Sequence, residues 1–291
     1  MSVTLLLSAA IFAQSKVKVT AERNADNSVT FYYEKFSPGT YTIEVRLANL
    51  SNTQSSDFRR VIKNEHGILY RMTPINKNRP INYSFQTRSM RGEINSKVDS
   101  LFVYALPFPA GSFVTVKRSE NASRRYLGHE VSETWSSHAF YSETNDTICA
   151  VRKGIVIGII DEHEFDTLKT TKYTSRLNRI LVEHEDGTYA QYSNLDKNNI
   201  FVSEGQEVLP QMPLALIHES PNTNKFLVNF LVSYLRQEAK ADDYERHFLN
   251  PYFYTEDGIV RLENKEYKVV VTDEMLNKEL GKKKKKQKRN K

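Results

Sequence analysis

Period-two alternation in short segments limits what this chain can fold into more than any other feature. In Tyr41-Thr42-Ile43-Glu44-Val45-Arg46-Leu47 every second side chain is apolar and those between are polar. Successive side chains of a strand point to opposite faces, so such a segment reads as a half-buried strand. "VKVTA", "SVTFYYEKF", "GILYRM", "INYSFQT", "LFVYALPF" and "SFVTVKR" have similar character between residue 16 and about 115, with turn signals such as Ser37-Pro38-Gly39 between them. Together with the alternating segment they make seven short strands, which predicts a β-sandwich. Composition agrees: Tyr and Phe number 16 and 15, and aromatic residues favour pleated surfaces. With 291 residues, 39% hydrophobic and 26% charged, the chain can bury a core without covalent staples.

The expected division lies near residue 118. "LPFPAGS" carries two prolines and a glycine, and "RSENASRRYLGHEVSETWSSH" shows little periodicity. The predicted organisation is a sandwich over 16–118 and a second β domain with a C-terminal extension over 119–272. A short helix and a basic tail fill 273–291. Within the second domain, "NKFLVNFLVSYL" is almost continuously apolar and reads as a central strand. Asp273 to Leu280 reads as the helix, capped by Thr272 or Asp273 and stopped by Gly281.

The two ends carry different signals. Residues 1–15, "MSVTLLLSAAIFAQS", hold a short apolar run followed by small residues, like the apolar and cleavage regions of a secretory signal peptide. The run is too short to span a membrane, so no transmembrane helix is expected. This places the protein in a periplasm or outside the cell. The last ten residues, "KKKKKQKRNK", hold eight positive charges, while the whole chain sums to +6. The body is therefore close to neutral, and the tail reads as a disordered segment able to contact an anionic surface. A basic tail by itself does not imply nucleic-acid binding, which is not expected here. The single cysteine, Cys149, excludes an intrachain disulfide and reads as a buried small hydrophobe.

"EHEDGTYAQYSNL", residues 183–195, reads as two strands around an Asp186-Gly187 turn. Read in order, the second domain resembles the lysostaphin/LytM-type zinc metallopeptidases. "NDTICAVRKGIV" matches the strand pair of that family at Ala150, Gly154 and Val156. "HEDGTYAQYSNL" matches its His-x-Asp-Gly…Tyr-x-His-Leu stretch at His184, Asp186, Gly187, Tyr192 and Leu195. "VSEGQEVLPQMPLAL" keeps Gly205 and Val208, and "LVNFLV" stands where the family has His-Leu-His-Phe-x-Val. The resemblance implies an antiparallel barrel-sandwich domain of the duplicated hybrid motif type following the sandwich, an all-β protein throughout.

The same resemblance implies a zinc site that this chain does not carry. The ligand positions fall on Trp135, Ala139 and Asn229, and the proton-handling positions on Asn194 and Leu227. Alanine, leucine and tryptophan offer no zinc ligand, and an amide does not exchange protons near neutral pH. Candidates for a replacement site are His129 and His138, with His163, Glu162 and Glu164 nearby in sequence. The expectation is a non-catalytic protein with no cofactor, binding peptidoglycan or an envelope protein through a degenerate groove. His184, Tyr189, Tyr192, Asn194 and Asn229, with Trp135, are its candidate lining. The alternative is an active zinc-dependent peptidoglycan endopeptidase with a rearranged metal site.

Overall fold

The structure is a computed structural model that describes residues 16–119, 132–144, 146–164, 176–220, 225–237 and 244–280. The signal-like segment, His129 and the basic tail lie outside these residues. The described chain is all-β apart from one short helix. It divides into two compact units, one over 16–37 and 41–90, the other over 38–40 and from 91 onward.

The first unit contains two sheets. β1 (Val17–Arg23), β2 (Val29–Lys35) and β5 (His66–Met72) form one, in the order β1–β2–β5. β3 (Tyr41–Ser51), β4 (Phe58–Ile62) and β6 (Asn82–Arg91) form the other, in the order β4–β3–β6. The alternating 41–47 segment turns Ile43 and Val45 into the core. Phe31 lies at the centre, edge-on to Phe58 at 5.7 Å and Phe85 at 5.2 Å between ring centres. Two sheets thus enclose one core, as in a sandwich, built from five of the seven expected strands and from β4, which the sequence reading did not pick out.

The second unit begins earlier than the sequence suggests. β7 (Val103–Tyr104) and β8 (Phe113–Arg118), expected at the end of the sandwich, belong to it. β7 pairs in parallel with β20 (Tyr252–Thr255), which also pairs with β21 (Gly258–Arg261). β8 pairs with β9 (His138–Ser142) and β22 (Glu266–Lys268). Tyr104, Leu106, Phe108, Val114 and Val116 explain the difference, because all are buried in the second core. Alternation marks a strand but not the core it serves.

The main sheet of this unit has the order β15 (Glu207–Val208), β11 (Gly154–Ile160), β12 (Arg179–Glu183), β13 (Tyr189–Ser193), β18 (Lys225–Gln237), β9, β8, β22. β17 (Glu219–Ser220) and β19 (Tyr244–Leu249) also pair with β18. The apolar β18 is thus central, as expected. A second sheet, β10 (Thr147–Cys149), β16 (Pro213–Ile217) and β14 (Leu195–Ile200), contributes to the same core. Ile180, Val182, Ala190, Tyr192, Val228, Phe230 and Phe140 come into that core from one face of the main sheet. Residues of opposite parity, including Ser193, Asn229 and Ala139, occupy its other face. Helix α1 (Asp273–Asn277) begins at Thr272, whose hydroxyl accepts from the Met275 amide at 3.2 Å.

Candidate binding face

The site is assembled by strand register. Asn229 on β18 lies opposite Ser193 on β13 and, across its other edge, opposite Ala139 on β9. Direct cross-strand partners share a face. Leu227, two residues earlier on β18, is on this face too and lies opposite Tyr141. Asn194 follows β13 and donates its side-chain amide to the Leu227 carbonyl at 2.6 Å and to the His218 carbonyl at 3.3 Å. Four of the five positions picked out by the sequence, Ala139, Asn194, Leu227 and Asn229, therefore come together. Trp135 is elsewhere: its indole packs edge-on against Phe248 at 4.7 Å, and its Nε1 donates to the Ser119 carbonyl at 3.3 Å.

Asn194 has a backbone reason to be asparagine. Its φ is +75°, in the left-handed region that asparagine enters more readily than most side chains. Its amide then satisfies two carbonyls where β13 ends, one of them on β18. The residue works as a structural clip at the rim of the face.

The remaining candidates separate by parity. Tyr189 is on the same face as Asn229 but packs with Ile157 and Leu235. Tyr192, three residues on, points into the core, where its hydroxyl accepts from the Val151 amide at 3.0 Å. His138 is beside Ala139 in sequence and on the opposite side of the strand. It is buried against Phe140 and Phe253, and burial followed by the nearby Arg118 lowers its pKa to about 4. His163 is held through its backbone, whose N–H donates to Asn178 Oδ1 at 3.0 Å.

His184 belongs to a different environment, the turn. His184 N–H donates to the Thr188 carbonyl at 2.8 Å and Gly187 N–H to the His184 carbonyl at 3.0 Å. Gly187 has φ +82°, which closes the hairpin with a left-handed glycine. Asp186 accepts from Arg152 at 2.9 Å, and Arg152 also donates to one Glu279 oxygen at 2.8 and 3.0 Å. The Arg152 guanidinium lies 3.6 Å from the centre of the Phe102 ring and is almost fully enclosed, at 4% side-chain exposure. Burial opposes the Asp186 charge, but Arg152 outweighs it and holds the carboxyl below its ordinary value. His184 is buried in this cluster with Nδ1 2.8 Å from the Lys153 carbonyl, so Nδ1 carries its proton. Burial, then Arg152, depresses its pKa strongly. Gly154 is required nearby, because a β-carbon there would come 2.5 Å from Val182 Cγ1 and 2.6 Å from the Glu183 carbonyl.

These residues do not fit a catalytic zinc. Ala139 and Leu227 have no donor atoms, the Trp135 indole only donates, and the Asn194 nitrogen is used on carbonyls. His138 faces away from the others. Among the described residues, no three His, Cys, Asp or Glu side chains are grouped as a metal ion would need.

Residues that sequence reading passed over complete the face. Arg179 on β12 lies opposite Ser193, and Lys117 on β8 opposite Ala139. The register thus sets out a single row, Arg179–Ser193–Asn229–Ala139–Lys117, across five strands. Gln191, on the same face, donates to the Ser193 hydroxyl at 3.0 Å. No sequence signal joins Arg179 to Lys117, because only the strand order brings them into line.

No protein-family model matches this chain, and no curated protein matches it. Several solved chains are similar to it, among them two peptidases. One is the M23 metalloprotease pseudoalterin, described as from the deep sea: identity is 14%, covering 59% of this chain and 96% of that one, with a TM-score of 0.34. The other is a zinc-containing peptidase from Vibrio cholerae: identity is 12%, covering 74% of each chain, with a TM-score of 0.27.

Proposed function

We propose that this chain is a non-catalytic LytM-like protein of the cell envelope that binds peptidoglycan or an envelope protein through the face around Asn229. One observation carries this reading. Four of the five positions that the resemblance assigns to metal and proton chemistry converge, Ala139, Asn194, Leu227 and Asn229, and Asn194 is engaged there as a backbone clip. What remains is a sheet face of amide, hydroxyl and small side chains beside Leu227 and Tyr141, which suits recognition by hydrogen bonds and apolar contact. The signal-like residues 1–15 support a periplasmic or secreted location. Among the described residues no helix is long and apolar enough to cross a membrane.

The test is metal content together with wall binding and wall hydrolysis. The purified full chain, equilibrated with zinc and dialysed, should hold far less than one zinc per molecule and release no peptide from purified sacculi. It should sediment with sacculi or with envelope protein, with and without residues 282–291. Stoichiometric zinc that disappears in His129→Ala, together with hydrolysis, would establish the rearranged endopeptidase instead.

A further inference from the structure

The row across the face is cationic at both ends and nearly neutral between them. Arg179 and Lys117 are exposed, and neither makes an ion pair among the described residues. Lys117 is oriented by Tyr141, its Nζ 5.5 Å from the ring centre. Between the two cations lie Ser193 and Ala139, both about 5% exposed, with Asn229 more open at the centre. The short side chains make a trough, and the long ones make its ends. Of the carboxylates near the row, Glu143 pairs with Lys225 at 2.5 Å and Glu183 is turned to the Thr40 amide at 2.8 Å, while Glu266 on β22, opposite Thr115, lies on the Lys117 side of the face, outside the row. The row itself therefore presents a positive charge at each end that no direct ion pair neutralises among the described residues.

The spacing limits what fits. Neighbouring strands lie about 4.8 Å apart, so four spacings separate the Arg179 and Lys117 backbones by roughly 19 Å. An extended peptide advances about 3.3 Å per residue and covers that span in five or six residues. Asn229, midway, offers both an amide donor and an amide acceptor, the complement of a peptide unit. Arginine at one end can grip a carboxylate with two parallel hydrogen bonds, while lysine acts as a point charge.

We propose that this row is a docking track for an extended acidic segment of a partner protein, lying across the strands. One carboxylate would meet Arg179, a second one five or six residues away would meet Lys117, and the backbone between them would pair with Asn229. This rests on the non-catalytic binding reading and selects its protein-partner arm.

The experiment uses the full chain and synthetic ten-residue peptides of Gly, Ser, Thr and Ala that carry two aspartates. Fluorescence anisotropy at low and physiological salt should show preference for aspartates separated by five or six positions over adjacent aspartates and over an uncharged peptide. Affinity should fall as salt rises. Lys117→Glu and Arg179→Glu should each weaken binding about tenfold or more. A peptide with lysine at one end should bind Lys117→Glu better than the all-acidic peptide does. Asn229→Ala should weaken every peptide without changing the preferred spacing. Both charge variants lie at exposed positions, and an unchanged melting temperature separates lost binding from lost fold. Spacing-independent binding, binding unaffected by both reversals, or an anionic glycan outcompeting every peptide would overturn the track. Sacculus binding that survives both reversals would overturn it too, yet leave the non-catalytic reading intact. Stoichiometric zinc with hydrolysis would remove that reading itself.

Discussion

The two ends of residues 183–195 have opposite fates. At one end, His184, Asp186 and Gly187 are enclosed in a cluster with Arg152, Glu279 and Phe102, where Arg152 bonds both carboxylates. At the other end, Asn194 closes a strand at the rim of an open face and binds backbone alone. The enclosed end matches the resembled family at His184, Asp186 and Gly187, while at the open end the core-facing Tyr192 and Leu195 match and Asn194 does not. The difference teaches that these matches follow what a residue holds up. Gly154, Gly187 and Asp186 are fixed by backbone approach, turn geometry and a buried arginine, whatever happens on the face.

The largest test of this contrast is Arg152→Met. It leaves Asp186 and Glu279 buried without their cation and should cost about 3–5 kcal/mol in urea unfolding. A loss under about 1 kcal/mol would mean that the cluster does not anchor the fold. Next comes pH. Burial, then Arg118, lowers the folded pKa of His138 from its ordinary 6.5 to about 4, so its contribution is complete above about pH 6.5 and fades as pH falls toward 4. His184 acts in the same direction. His138→Leu should therefore flatten the dependence of unfolding free energy on pH across that window. An unchanged slope would assign the acid sensitivity to the enclosed end alone. The smallest effect is expected at the open end. Asn194→Ala should cost about 1–2 kcal/mol by leaving the Leu227 carbonyl without its donor. Asn194→His should bring no hydrolysis of sacculi, because one imidazole supplies none of the missing ligands.

Much of this architecture is legible in the sequence. Alternation at 41–47 marks a sandwich strand, apolar continuity at 225–237 marks the central strand, and Asp186-Gly187 marks the hairpin. Three things are not legible. Strands at 103–104 and 113–118 look like those before them, and only packing assigns them to the second core. Tyr189 and Tyr192 both look like lining, yet three residues along a strand is an odd number, so they face opposite ways. Arg152 lies in a largely apolar stretch, and its partners Phe102, Tyr104, Asp186 and Glu279 are all more than thirty residues away, found only by folding.

Arg152 and Glu279 are separated by 127 positions, and their contact closes the largest loop of the buried cluster. Such a contact can form only after the chain between them has been made and brought back on itself. During synthesis Arg152 therefore waits, with Asp186 as its early companion, until helix α1 arrives. Premature arrest or clipping just before residue 273 would strand a guanidinium in a half-built core. The final turn of the described chain thus serves as a seal on the whole unit, and partial products should be the ones that a cell's proteases recognise first.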